Sequence, residues 1–178
     1  VEAITSVKAE EFFDEQSKLI EQIKTTLKSP KDILKSLNSL MEENHHLQKQ
    51  IQSLYKEKAA AFKKEIISKI EKKGDINFVV HQIHFDSAEE IKNMLFELRN
   101  EVPRFFCVLV AVTLGKPNIS VIINDDLVKT KNLDAGKIVR ELAKEINGGG
   151  GGQPFYAQAG GSKQEGLRLV IEKAGKLL

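Results

Sequence analysis

A long heptad repeat constrains the fold of this chain more than any other feature of its sequence. From Pro30 to about Lys73, residues of one helical seam recur at alternating steps of four and three, the spacing of a coiled coil. A continuous helix over this range would be about 65 Å long. Because such a rod cannot form one edge of a small globule, its seam needs a partner. The seam residues are Ile33, Leu37, Leu40, Asn44, Leu47, Ile51, Leu54, Lys58 and Ala61.

A shorter charged helix is predicted before this repeat, over residues 8–28. Ser29-Pro30 then interrupts it, since serine followed by proline is typical of a helix start. The short break predicts that residues 8–28 fold back as an antiparallel hairpin, while the unmatched length pairs with a second chain. Asn44 in the seam would fix the register of pairing. The residues expected to form a dimer seam are Leu40, Asn44, Leu47, Ile51 and Leu54.

The pattern after Gly74 predicts a compact α/β domain. The expected order is strand, helix, strand, strand, helix, glycine-rich loop and helix, with the helices on one face of a mixed sheet. The predicted elements are a strand over 76–84, a helix from Ser87 to about Asn100, strands over 105–114 and 119–123 joined by a turn at 115–118, and helices over 133–146 and 163–178. The fold class is therefore α+β, a helical coiled-coil hairpin over 1–73 followed by a globular α/β domain over 74–178.

A glycine-rich segment, GGGGGQPFYAQAGG at residues 148–161, holds seven of the twelve glycines. Glycine loses more conformational entropy on folding than any other residue, so five glycines in a row indicate a contact surface rather than a core. Exposed peptide N–H groups after a helix can form a concavity that binds anions. A flexible linker is the alternative, but aromatic, amide and alanine residues follow the glycines where a linker would repeat serine and glycine.

The charge of the chain is distributed unevenly along the sequence. The chain carries 27 basic and 25 acidic residues, yet residues 74–126 have net charge −4 and residues 127–178 have net charge +4. The glycine-rich segment thus lies in the basic part. The single cysteine, Cys107, is expected to be a buried thiol in a reducing compartment. No signal peptide or membrane span is predicted, and the start at Val1 suggests a piece of a longer protein.

No catalytic constellation or metal site is predicted. Three-residue spacing on a strand places His81 and His84 on opposite faces, which argues against a metal site. Asp125-Asp126 follow a strand without a further ligand nearby in sequence, and we interpret them as turn residues. The glycine run lacks the Gly-Lys-Ser/Thr ending of a P-loop. The residues favour a binding module rather than an enzyme site.

The glycine-rich segment closely resembles the signature near the C-terminus of alanyl-tRNA synthetases, in the DHH-associated domain that some phosphoesterases and exonucleases share. Val1–Thr5 is similar to the segment through which that family leaves its editing domain. The order of coiled coil and then globular C-Ala domain also agrees. Two residues depart from the family pattern. Gln153 stands where arginine is common and Phe155 where aspartate is frequent, so a charged contact is in doubt there.

The resemblance implies a C-terminal part of a cytoplasmic alanine–tRNA ligase, without its aminoacylation and editing domains. ATP with magnesium, and the zinc of the editing domain, would belong to those missing parts, and no cofactor is expected in this chain. The C-Ala domain would contact the elbow of alanine tRNA and support the other domains of the same chain. The residues expected to bind tRNA are Gly149, Gly150, Gly151, Gly152, Gln153, Tyr156, Gln158, Gly160, Gly161, Lys163, Arg168, Lys137 and Lys144.

Two other functions stay open at this point. The coiled coil and the globular domain together would serve as a purely structural oligomerisation module. The globular domain would alternatively bind single-stranded nucleic acid as an accessory of a DHH-type phosphoesterase, although the long coiled coil argues against this.

Overall fold

The computed structural model describes residues 6–28 and 30–178. The Val1–Thr5 segment, and Ser29 of the predicted helix start, lie outside the described residues. The chain divides into two compact units, residues 1–53 and 54–178. The domain boundary that we expect between residues 73 and 74 stays a prediction.

The first unit contains helix α1 (Ser6–Thr26) and the first half of helix α2 (Ile33–Ser68). Both helices were predicted, but their packing as a coiled-coil hairpin is not confirmed. In the two predicted seams of this unit, Leu27 and Ile33 are half-buried and Asn44 is exposed. Seven further apolar seam residues are between 39 and 49% exposed. These residues are Phe12, Leu19 and Ile23 of α1, and Leu37, Leu40, Leu47 and Ile51 of α2.

The second unit is built on a six-stranded mixed sheet of order β1-β2-β3-β4-β6-β5. Strands β2 and β3 are parallel, and every other neighbouring pair is antiparallel. The strands are β1 (Glu71–Lys73), β2 (Ile76–His84), β3 (Phe105–Thr113), β4 (Lys116–Ile123), β5 (Gly149–Gln153) and β6 (Tyr156–Gly160). The helices are α3 (Ala88–Glu101), α4 (Asp125–Thr130), α5 (Ala135–Ala143) and α6 (Leu167–Gly175).

Helices cover both faces of this sheet, so the expectation of helices on one face is wrong. Alternate residues of β3 enter two separate cores, as in a strand that is buried on both sides. Phe106, Val108 and Val110 pack with α4, α5 and α6. Phe105, Cys107 and Leu109 pack with α3 and the last turns of α2. Burial also raises the pKa of the Cys107 thiol, which agrees with the expected structural role.

The second half of α2 packs through a different stripe from the predicted seam. Tyr55, Ala59, Phe62 and Ile66 face the sheet, one residue beyond the predicted positions Leu54, Lys58 and Ala61. The ring centroids of Tyr55 and Phe62 lie 5.6 and 5.9 Å from that of Phe85. Burying aromatic rings stabilises more than burying alanine or lysine, which is why this stripe faces the core.

Strand β1 replaces the expected end of the long helix. Helix α2 ends at Ser68, and Gly74 then forms a two-residue turn with Asp75 that pairs Lys73 with Ile76. Gly74 has a φ of 65°, a conformation that glycine adopts without steric cost. The helix predicted to reach about Lys73 is therefore too long.

The turn between β3 and β4 also differs from the prediction. Thr113 pairs with Lys116, so the turn is Leu114-Gly115 rather than residues 115–118. Pro117 lies inside β4, beyond the residues that pair with β6, where a missing N–H is tolerated.

Arginine residues hold the start of α4. Asp125 and Asp126 lie in its first turn rather than in a simple turn. Arg99 pairs with Asp125, and a guanidinium nitrogen of Arg104 lies 3.1 Å from the Asp126 carboxylate. These carboxylates therefore have structural partners.

The helices that flank the glycine-rich segment were predicted in outline. The Asp134 carboxylate caps α5 by accepting from the Lys137 N–H at 3.0 Å, and a 3-10 turn, Lys144–Ile146, follows α5. A second 3-10 turn, Gln164–Gly166, leads into α6. Within residues 6–28 and 30–178, no helix is long and apolar enough to cross a membrane.

Candidate nucleic-acid interface

The glycine-rich segment forms a β-hairpin rather than the expected loop. β5 pairs with β6 from Gly149 and Gly160 to Gln153 and Tyr156. Two backbone hydrogen bonds fix the turn between them: Ile123 N–H donates to Phe155 O at 2.8 Å, and Ala135 N–H donates to Pro154 O at 2.9 Å. β5 is the outermost strand on its side of the sheet among the described residues. Among the described residues, β5 therefore pairs with a neighbouring strand along one edge of its backbone only.

The glycines of β5 alternate between two environments. A Cβ atom at Gly150 would overlap the Gln158 carbonyl and the Ala159 backbone, and similar overlaps with β6 or its flank would occur at Gly148 and Gly152. At Gly149 the same atom would meet nothing within 4 Å. At Gly151 it would meet Arg140 alone, at 4.0 Å. Close approach of two strands thus explains three of the five glycines, whereas an added side chain at Gly149 or Gly151 would meet no part of β6.

Helix α5 places a cation beside this strand. The helix runs antiparallel to β5, because Ala135 is bonded to Pro154 at one end and Gly148 N–H donates to Ala143 O at the other. Arg140 was not predicted as a site residue. Its Nε lies 4.0 Å from the Cβ position of Gly151, so the guanidinium lies beside the strand.

Lys137, Arg140 and Lys144 share one exposed face of α5, since they follow helical spacing. They do not carry equal free charge. In the described part of the chain, no carboxylate lies within 4.0 Å of Lys137 or Arg140, whereas Lys144 pairs with Glu141. The hydrogen bond from Lys144 lowers the pKa of the Glu141 carboxyl. Lys144 is therefore a weaker candidate for an anionic ligand than Arg140.

Lys163 and Arg168 follow the hairpin in the chain, Lys163 after β6 and Arg168 on α6. The Lys163 N–H donates to Ile146 O at 3.0 Å, which holds Lys163 next to the end of the 3-10 turn after α5. Both side chains are exposed, and neither has a carboxylate within 4.0 Å among residues 6–28 and 30–178. Arg140 lies beside β5, and Lys137, Lys163 and Arg168 are exposed cations on the segments that precede and follow the hairpin in the chain. None of the four pairs with a carboxylate among the described residues, and we call them the cation row.

Tyr156 and Gln158 point to the opposite face of the sheet from α5, because Ala157 and Ala159 fill the α5 side. The Gln158 amide donates to Ser120 Oγ at 3.1 Å. Burial raises the pKa of Tyr156 to about 12, and its ring lies 5.1 Å from that of Phe96. The structure therefore separates these two predicted residues from the cation row.

Phe155 packs against α3. The Arg99 guanidinium carbon lies 4.9 Å from the centre of its ring, and the Phe96 ring lies 6.3 Å away. One face of Phe155 is thus covered by a cation–π contact. Stacking on a nucleotide would be limited to its remaining surface.

Of the predicted residues, Gly149, Gly151, Gln153 and Gly160 lie on the hairpin and Gly161 on its flank, whereas Lys137 lies on α5, Lys163 follows the hairpin and Arg168 lies on α6. A sequence signal for Arg140 existed, since it follows Gly136 by four residues and Lys137 by three. The importance of its position depends on β5 lying beside α5. Within the described residues, no group of three or more His, Cys, Asp or Glu side chains is placed to hold a metal ion.

Comparisons with known proteins identify the family of this chain. Residues 75–178 match the DHHA1 domain family. The alanine–tRNA ligase of Cytophaga hutchinsonii is 43% identical over 178 residues, which cover 100% of this chain and 20% of that protein. The alanine–tRNA ligase of Christiangramia forsetii is 42% identical over 98% of this chain and 20% of its own length. The chain thus spans about a fifth of the curated relatives it matches.

A solved structure gives the same result for the fold. The C-Ala domain of the Aquifex aeolicus alanyl-tRNA synthetase superposes with a TM-score of 0.50 and 25% identity, covering 58% of this chain and 96% of that domain. The chain therefore belongs to the DHHA1 domain family, and its resemblance to the C-terminal region of alanyl-tRNA synthetases is confirmed.

Proposed function

We propose that this chain is the tRNA-contacting C-terminal part of an alanine–tRNA ligase. The glycine hairpin and the cation row would contact the sugar-phosphate backbone at the elbow of alanine tRNA, and so support the aminoacylation and editing domains of the same polypeptide. The observation that carries this proposal is the Arg140 guanidinium beside the bare backbone of Gly151 in the outer strand β5, with further exposed cations before and after the hairpin in the chain. The family membership supports the choice of tRNA as the ligand.

Charge and shape support a backbone contact rather than base reading. Arginine and lysine supply the commonest contacts to phosphates, and these contacts position a protein without reading sequence. A strand without side chains lets a phosphate approach its peptide groups closely. Arg140 combines both features, since its guanidinium lies beside Gly151. We therefore expect Arg140 to contribute more to binding than Lys144, which Glu141 partly neutralises.

The test is a binding titration of the whole chain with folded alanine tRNA at several salt concentrations. Each phosphate contact contributes about −0.7 to −0.9 to the slope of log K against log salt. Replacing Lys137 and Arg140 together by alanine should weaken binding and make this slope shallower by about 1 to 2 units. Lys64→Ala is the control, since Lys64 is an exposed lysine on α2, in the opposite layer of the second unit, that pairs with no carboxylate among the described residues.

The outcomes separate the candidate functions. No binding to tRNA at low salt, or equal slopes for the double variant and the Lys64→Ala control, would contradict the proposal. Preference for an unfolded RNA of equal length would instead favour the single-stranded accessory function.

A second proposed function is homodimerisation through the first half of α2. It rests on the exposure of the apolar seam, in which Leu40, Leu47 and Ile51 are each 49% exposed. A second copy would cover these residues at the heptad spacing, with Asn44 between Leu40 and Leu47 in the same seam and Leu54 at its next position. Sedimentation equilibrium of the Leu47→Asp, Ile51→Asp double variant tests this. A mass equal to that of the unaltered chain would contradict it.

The activity of the longer protein is also part of the proposal. Alanine–tRNA ligase activity in the cytoplasm, with ATP and magnesium, and zinc in the editing domain, would belong to the parts of the relatives that this chain does not match. The residues of this chain would supply positioning of tRNA only.

A further inference from the structure

The tip of the β3–β4 hairpin carries a leucine that the fold does not need. Leu114 is 79% exposed, so its side chain gains almost no burial. Its φ is 49° and that of Gly115 is 76°, the left-handed region that two-residue hairpin turns require. Asparagine, aspartate and glycine are favoured there, because a leucine side chain crowds its own backbone. Neither the backbone nor the core of this domain explains leucine at this position.

Several hydrogen bonds hold this tip in place. The Leu114 N–H donates to the Asp86 carboxylate at 3.3 Å, and the Gln164 amide donates to Gly115 O. At the base of the turn, Gly161 N–H donates to Pro117 O at 3.0 Å. The leucine is therefore fixed beside residues 160–164, where the glycine-rich segment ends.

Two cations lie close to Leu114, one along the chain and one next to a residue that these hydrogen bonds bring near. Lys116 follows the turn, and Lys163 immediately precedes Gln164. Both are exposed, and neither has a carboxylate within 4.0 Å in the described ranges 6–28 and 30–178. A fixed, exposed apolar group with cations on neighbouring chain positions matches the chemistry of a nucleotide, which offers a flat apolar base and a charged phosphate.

We propose that Leu114 packs against an exposed base face of the folded RNA that the cation row binds. This inference rests on the proposed function. Aliphatic side chains insert between base steps in several proteins that bend DNA, and unstacked bases in folded RNA are recognised through their faces. Leu114 would add an apolar contact to the phosphate contacts of Lys163 and Arg140, and would make binding depend on an RNA that presents such a face.

The experiment compares the Leu114→Asn and Leu114→Gly variants of the whole chain with the unaltered chain. Both replacements suit the turn better than leucine, so the stability towards urea should stay equal or rise. Affinity for alanine tRNA should fall about tenfold, within the range that contacts to base faces provide. The salt slope should not change, because no phosphate contact is lost. Ile67→Ala, an exposed apolar residue on α2, is the control and should leave affinity unchanged.

The results distinguish this inference from the proposed function. If the unaltered chain binds tRNA and both Leu114 variants bind equally well, the inference is overturned and the proposed function stands. If the variants lose stability, Leu114 has a structural role and the inference fails. If the unaltered chain does not bind tRNA at low salt, both the proposed function and the inference are overturned.

Discussion

Substitution of single glycines in β5 tests whether the glycine run is required by strand packing. We expect Gly150→Ala to destabilise the second unit strongly and Gly149→Ala to have little effect. The added methyl group at residue 150 would overlap the Gln158 carbonyl and the Ala159 backbone, whereas at residue 149 it would meet nothing within 4 Å. The two substitutions are adjacent and chemically identical, so their difference isolates the local geometry.

The magnitude follows from what the methyl group meets. Overpacking a core costs about 1–3 kcal/mol when side chains can move aside. At Gly150 the obstacle is the backbone of a paired strand, which cannot change rotamer, so the upper value of about 3 kcal/mol is expected. Gly149→Ala should change the free energy of unfolding by about 0.5 kcal/mol or less. For a unit of this size, the difference corresponds to about 10 °C in the melting temperature.

Tyrosine fluorescence is a suitable readout. The chain has no tryptophan, and its two tyrosines, Tyr55 and Tyr156, both belong to the second unit. Urea unfolding followed at the tyrosine emission therefore reports on this unit alone. Equal midpoints for Gly149→Ala and Gly150→Ala would refute the explanation by close strand approach and return the glycine run to a purely ligand-binding role.

Three further predictions concern the packing around the sheet. Cys107 should not react with a thiol reagent at pH 8 in the native protein and should react fully in urea, because burial raises the pKa of its thiol. Burial and the Lys69 charge lower the pKa of His81 below 6.5. The contribution of His81 to stability should therefore be fully present above pH 6.5 and be lost as the pH falls through the lower pKa of the folded state. His81→Gln should remove this change, measured as the difference between urea unfolding curves at pH 7.5 and 5.5. Arg99→Lys should destabilise the second unit by about 1 kcal/mol, because lysine keeps the charge but loses the flat contact with Phe155, and an unchanged urea midpoint would contradict this.

Local sequence patterns predicted much of the second unit. Strand β2 has the predicted bounds, since its period of two and the turn residues around it act locally. Helix α3 begins after Ser87, whose hydroxyl accepts from the Glu90 N–H at 3.2 Å, as the capping rule predicts. These features are decided within a few residues of the chain, and so they are visible in a single sequence.

Long-range packing decided the features that the sequence did not predict. The heptad spacing of α2 continues past Leu54, but the sheet selects the neighbouring stripe of Tyr55, Phe62 and Ile66. Only the position of Phe85, far along the chain, shows which of the two stripes is buried. Similarly, a five-glycine run carries no apolar alternation, so its pairing with β6 has no local signal.

The cation row depends on the same long-range geometry, through a glycine outside the run. A Cβ at Gly136 would lie 3.2 Å from Gly152 O and 3.4 Å from a guanidinium nitrogen of Arg140, which is tighter than ordinary packing. Gly136 therefore lets α5 approach β5 closely, and this approach sets the Arg140 guanidinium beside Gly151. Packing thus determines where the proposed ligand contact lies: the glycines that let the strands and the helix meet set the bare backbone of Gly151 next to Arg140. A Gly136→Ala change should consequently weaken tRNA binding more than it weakens the fold, since a shift of α5 by a few tenths of an ångström moves Arg140 while the core of α5 remains buried.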